Sequence, residues 1–234
     1  MNTENQSRSS DVGVTPTSVV IVGAGPVGLS LARTLSDEGI DSIVLEKNER
    51  PDQYSRAILV PPRTLDIFEG WNLAETAKAR GIFMPRLQAY GAESGKVAMT
   101  INFTELADVS RNAGYLILPQ DRTEELLLRA VESTGRARVH FGTTLTGFSE
   151  EELSVTVEAA NGKPRLRFRC QYLVGCDGAH SIVREKLHLT LVGKTYKARV
   201  LIADVSFSQS VPPTPRIALK AKGPLMMLQF DDTR

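Results

Sequence analysis

The chain has 234 residues with 28 basic and 27 acidic side chains, a balance that leaves no surplus charge to recruit nucleic acid or another polyanion. Its length allows one large or two small domains with a sizeable core. Two cysteines, Cys170 and Cys176, and three histidines fit neither a disulfide framework nor a His/Cys zinc site, and no run of about 18 apolar residues is present to cross a membrane.

Met1 to Thr17 is polar and lacks the apolar stretch of a secretory signal, so a short disordered tail on a cytoplasmic protein is expected. Next comes Ser18-Val19-Val20-Ile21-Val22-Gly23-Ala24-Gly25-Pro26-Val27-Gly28-Leu29, an apolar strand, a glycine turn and the start of a helix. Gly23 lets the chain turn off the strand, Gly25 leaves room for a pyrophosphate, and Gly28 allows close packing of helix on sheet. Leu29, Leu31, Ala32 and Leu35 continue at helical spacing, and Gly39 is placed to cap the helix. The free N–H groups and positive dipole end of that helix suit an anion. Val44-Leu45-Glu46 is the second strand, and its acid falls at the spacing expected of a ribose-binding carboxylate. A carboxylate there disfavours the 2′-phosphate of NADP, which leaves FAD and NAD.

Asn48 to Tyr54 reads as a loop, and Thr64 to Phe68 opens a helix whose apolar face continues through Trp71 and Leu73. Phe83 to Asn102 is strand-like, interrupted at Gly91 to Gly95. Tyr115 to Leu118 is a strand, and Arg122 to Val131 a helix. Four short strands follow, Val139–Phe141, Leu145–Phe148, Leu153–Ala159 and Leu166–Cys170, with Asn161-Gly162-Lys163-Pro164 turning a hairpin between the last two. Tyr172 to Gly175 is a continuous apolar run, expected as a buried parallel strand, and both cysteines are expected as buried small apolar residues. Asp177 would emerge at the strand's C-terminal rim, where open α/β sheets bind ligands. Gly178 permits a turn, and Ser181 is placed to cap a helix from Ile182 to Leu187. A purely local role for Asp177, satisfying amides at that corner, stands beside the ligand role. Strands are expected at Val200–Phe207 and Ile217–Leu219, separated by Pro212, Pro213 and Pro215, and at Leu225–Phe230.

Taken together, the GAGPVGL turn with Glu46, Ser55-Arg56-Ala57 followed by Arg63-Thr64-Leu65, Gln120 ahead of Thr123-Glu124-Glu125-Leu126-Leu127, and DGAHSIVR from Asp177 resemble the FAD-dependent aromatic hydroxylases. These are single-component flavoprotein monooxygenases of the para-hydroxybenzoate hydroxylase type. The resemblance implies an α/β fold: a Rossmann-type FAD-binding domain with a parallel sheet (18–82 and 112–188) and part of a mixed-sheet substrate domain (83–111 and 189–234). It implies FAD held at Gly23, Gly25, Pro26 and Gly28 around the pyrophosphate, Glu46 at the adenosine ribose, Lys47 on the adenine side, and Arg56, Gln120 and Asp177 on the cofactor. No catalytic acid–base residue or metal is implied. NAD(P)H is the implied electron donor, and a small aromatic molecule, phenolic or polyketide-like, takes one oxygen atom from dioxygen.

The family carries a further Gly-Asp motif after the substrate-domain strands. None follows Leu187, and Asp231-Asp232 has no preceding glycine. The expectation is an N-terminal portion of such an enzyme; the alternative is a catalytically silent FAD- or NAD-binding module or shortened paralogue.

Overall fold

The computed structural model describes residues 13–51, 57–162, 165–197, 199–203, 205–206, 208, 216–221 and 223–228. In chain order these form β1 (Val14–Pro16), β2 (Val19–Val22), α1 (Pro26–Asp37), β3 (Ser42–Leu45), β4 (Leu59–Val60), α2 (Pro62–Gly70) and α3 (Ala74–Ala79). There follow β5 (Ile82–Met84), β6 (Arg86–Gly91), β7 (Val97–Asn102), a 3-10 turn (Phe103–Leu106), β8 (Tyr115–Ile117) and α4 (Gln120–Glu132). The remainder is β9 (Ala137–His140), β10 (Thr144–Glu151), β11 (Ser154–Ala160), β12 (Arg165–Cys170), β13 (Tyr172–Gly175), α5 (Ile182–Lys186), β14 (Arg216–Lys220) and β15 (Gly223–Met227). The chain divides into two compact units, Met1–Asp52 with Leu127–Val192 and Gln53–Leu126 with Gly193–Arg234.

The first unit is built on a four-stranded sheet in the order β13-β2-β3-β9, every pairing parallel. Strictly apolar β2 is buried at all four residues, as a parallel strand covered on both faces requires. Val20, Val22, Ile43 and Leu45 point one way, into a core shared with Leu145, Val157 and Phe168 of the antiparallel β10-β11-β12 sheet. α1 packs on β2, β3 and β9, burying Leu29 and Ala32, and each such leucine contributes about 1.5–3 kcal/mol. Gly39, at φ +75°, ends α1 in the left-handed conformation expected of its cap.

Three expectations are corrected in this unit. The tail was expected to reach Thr17, yet Val14–Pro16 form β1, paired in parallel with β12 from Val14↔Arg167 to Pro16↔Arg169; residues 1–12 lie outside the described ones. β13 is parallel as expected but not buried. It is the edge of its sheet, and Tyr172 is 66% exposed, because position in the sheet, not apolar composition, decides how many faces and neighbours a strand has. Cys170 is buried but Cys176 only partly so.

In the second unit, β4-β8-β5 form an antiparallel sheet. Its strand residues Val60, Met84, Leu116 and Ile117 and the helix residues Leu65, Phe68 and Ala77 are all buried. A separate mixed sheet runs β15-β14-β6-β7, with β14 parallel to β6 and the remaining pairs antiparallel. It joins the 86–102 region to the 216–227 region, 114 residues further on at the nearest. The strand expected at Val200–Phe207 is absent over 200–203 and 205–206, which are exposed and lack a ladder partner. Phe207, the prolines at 212, 213 and 215, Lys163, Pro164, Gln229, Phe230 and the Asp231-Asp232 pair fall outside the described residues. Among the described residues no helix is long and apolar enough to cross a membrane.

Candidate functional site

The C-terminal ends of three adjacent parallel strands meet at one rim. β2 runs into Gly23, β3 into Glu46 and β13 into Cys176-Asp177. The strand ends are pinned by backbone hydrogen bonds, Gly23 N to Leu45 O at 2.7 Å and Cys176 N to Val22 O at 2.7 Å. Ligands bind at such a rim because strand termini and helix N-termini present unpaired backbone groups there.

Two glycines of the turn are sterically required, and the third, Gly25, faces open space. Gly23 adopts φ +103°, and a Cβ there would lie 2.6 Å from the Cys176 carbonyl oxygen. A Cβ on Gly28 would lie 1.9 Å from the Gly23 carbonyl oxygen and 3.4 Å from the Cys176 Cβ, so α1 closes directly on the turn and on β13. At Gly25 a Cβ would meet nothing within 4 Å; this glycine faces open space. Gly25 is the N-cap of α1, with no side-chain cap and Pro26 as first helical residue. The first-turn N–H groups of α1 therefore have no acceptor within the helix, and the dipole end adds positive potential.

Glu46 follows β3 directly. Its Oε2 accepts the Ala24 N–H at 2.9 Å and its Oε1 accepts the Asn48 N–H at 2.9 Å. Lys47, beside it, is exposed. Asp177 forms the β13–α5 corner: Oδ2 accepts the Ile182 N–H at 2.7 Å and the Val183 N–H at 3.3 Å. Its Oδ1 is buried and has no hydrogen-bond partner among the described residues. Ser181 completes the cap, its Oγ accepting the Arg184 N–H at 3.0 Å, and Gly178 makes the turn at φ +79°. The local reading of Asp177 thus describes its Oδ2, while Oδ1 is left over. Gly175 must be glycine, since a Cβ would sit 2.9 Å from the Val183 Cβ and 3.3 Å from Asp177 Oδ1. Arg184 donates from its guanidinium to the Ala179 carbonyl at 2.7 Å, which tightens the same corner.

The structure therefore gathers Gly23, Gly25, Pro26, Gly28, Glu46 and Asp177 in one unit. Gln120 opens α4 in the other unit, where its Nε2 donates to Glu124 Oε1 at 2.7 Å. Arg56 lies outside the described residues. Sequence reasoning placed Cys176 only as a small apolar residue and missed that its backbone forms a wall of the turn. Its thiol is held above the ordinary range, first by burial and then by the Asp177 charge. The Ala24 and Asn48 amides also escaped notice, because backbone donors carry no residue signature.

These features suit the pyrophosphate and ribose of an adenine dinucleotide: an open cradle at Gly25, an uncapped helix start, and a carboxylate at the strand end. Comparison with known proteins agrees. Residues 16–225 match the family model described as FAD binding domain. The 12-dehydrotetracycline 5-monooxygenase/anhydrotetracycline 6-monooxygenase of Streptomyces rimosus is 33% identical over 194 residues, 83% of this chain and 37% of that protein. The 3-(3-hydroxy-phenyl)propionate/3-hydroxycinnamic acid hydroxylase of Comamonas testosteroni is 30% identical, over 86% of this chain and 33% of that protein. Among solved structures, an anhydrotetracycline hydroxylase from Streptomyces rimosus superposes with a TM-score of 0.69 at 31% identity, covering 77% of this chain and 35% of its own. The chain spans between a third and two fifths of the length of these relatives.

Proposed function

The chain belongs to the FAD-binding domain family, and from that membership we propose that it is the FAD-holding portion of a cytoplasmic monooxygenase that hydroxylates a small aromatic molecule. The substrate class is phenolic or polyketide-like, by analogy with relatives whose names specify tetracycline precursors and hydroxyphenyl acids. NAD(P)H supplies the electrons and dioxygen the transferred atom.

The observation that carries this reading is the convergence of the glycine turn, Glu46 and Asp177 at one strand rim. When bound, FAD supplies the redox chemistry; the protein's part is to bind and orient it. In this reading the N–H groups at the start of α1 bind the pyrophosphate, and Gly25 lets it approach the backbone. Glu46 accepts hydrogen bonds from the adenosine ribose hydroxyls, Lys47 lies along the adenine side, and Asp177 is assigned to the cofactor from its place at the end of β13. Arg56 and Gln120 are assigned to the cofactor by resemblance. The domain assignment follows the same reading, with 18–82 and 112–188 holding FAD and 83–111 and 189–234 contributing to the substrate side.

Reconstitution tests it: the purified chain is mixed with FAD, desalted and scanned for flavin absorbance. The proposal predicts retained flavin with a perturbed visible spectrum. A protein that elutes colourless after FAD addition contradicts it.

A further inference from the structure

We infer that Glu46 is a positioning residue for the glycine turn, strengthening pyrophosphate binding independently of any contact with the ribose. The inference rests on the adenine-dinucleotide reading above and adds a second task for a side chain which that reading uses only as a ribose acceptor.

Glu46 is anchored at four atoms. Its backbone N–H donates to the His140 carbonyl at 2.9 Å, and its carbonyl accepts the Thr143 N–H at 2.7 Å. The residue is therefore fixed on the β3–β9 rim before its side chain does anything. The carboxylate then spans the gap to the glycine turn, taking the Ala24 N–H on one oxygen and the Asn48 N–H on the other. Ala24 stands between Gly23 and Gly25 and is itself buried. Glycines on both sides give the segment little conformational preference of its own, so an outside contact is needed to hold one geometry. Oε2 provides it through a charge-assisted hydrogen bond. With Gly23 N tied to Leu45 O, the turn is fastened to β3 at two successive N–H groups. Drawing the Ala24 amide inward also settles which amides face a ligand, those of the α1 start. Each carboxylate oxygen retains a second acceptor site, so holding the turn and accepting from a ribose are compatible.

The two tasks separate with ligands that differ only in the ribose. ADP and 2′,3′-dideoxy-ADP are titrated calorimetrically into the wild-type chain, Glu46→Ala and Glu46→Gln. The inference predicts that Glu46→Ala weakens both nucleotides, the dideoxy analogue by roughly tenfold, as expected for one charge-assisted hydrogen bond. Glu46→Gln, which keeps one acceptor oxygen, recovers part of the dideoxy-ADP affinity. Hydrogen exchange on the ligand-free proteins adds a readout that needs no binding: the Ala24 amide exchanges faster in Glu46→Ala than in wild type. If Glu46→Ala weakens ADP but leaves dideoxy-ADP within about twofold of wild type, or if Ala24 exchange is unchanged, Glu46 does not hold the turn. A wild-type chain that binds neither nucleotide would instead overturn the nucleotide reading itself, and this inference with it.

Discussion

Two glycines three residues apart illustrate how differently one residue type is used. Gly28 is required by the fold, because its missing Cβ is where the Gly23 carbonyl oxygen sits. Gly25 is not, because open space surrounds it and its φ of −71° suits any residue. Gly28→Ala should therefore destabilise the protein by about 1–3 kcal/mol, the usual cost of overpacking, seen as a lower urea midpoint. Gly25→Ala should leave that midpoint unchanged and lose FAD binding, since its methyl group would project into the ligand's space. If Gly25→Ala bound FAD as wild type does, the pyrophosphate would not lie against this residue. Ser181→Ala removes the α5 cap and should cost about 1 kcal/mol, measurable in the same denaturation series.

At the scale of elements, a partly buried polar staple joins α2 to the segment before β8. Asp66 Oδ1 accepts from Ser110 Oγ and from Asn112 Nδ2, both at 3.0 Å, and Asn112 Nδ2 also donates to Glu69 at 2.9 Å. These donors, the Asn112 side chain foremost, hold the Asp66 carboxyl below its ordinary value of 3.8 despite the opposing effect of desolvation. A carboxylate with a depressed native pKa stabilises the fold above its unfolded value and loses that contribution as the pH falls through the native one. The melting temperature of wild type should therefore exceed that of Asp66→Asn at neutral pH, with the gap closing as the pH drops below 3.8. A gap independent of pH would show that the Asp66 charge is irrelevant to the staple. Asn112 is nearly fully buried, so Asn112→Ala strands its acceptors and should cost about 1–3 kcal/mol.

Legibility in the sequence followed locality. The strand–turn–helix–strand of β2, α1 and β3, the β11–β12 hairpin and the Ser181 cap were readable because period, glycine and capping residue all lie within a few positions. β1 was not, since three residues ending in Pro16 become a strand only by pairing with β12, some 150 residues away. The exposure of β13 and the lack of a strand at 200–203 depend on which neighbours exist, and apolar composition is silent on that. In the site, side-chain positions Glu46 and Asp177 were legible, whereas the Ala24 and Asn48 amides and the Cys176 wall required coordinates.

For the molecule as a whole, the parallel sheet of the first unit and the mixed sheet of the second reproduce the α/β class expected, and the family match spans most of the chain. The central claim is that the β2–β3–β13 rim binds the adenine end of FAD. Competition measures it most directly: FAD binding, followed by quenching of flavin fluorescence, is challenged with ADP and with FMN. The account predicts that ADP displaces FAD, because it carries the pyrophosphate and ribose that the glycine turn and Glu46 recognise, while FMN, lacking both the pyrophosphate and the adenosine ribose, does not. Displacement by FMN without displacement by ADP would contradict it.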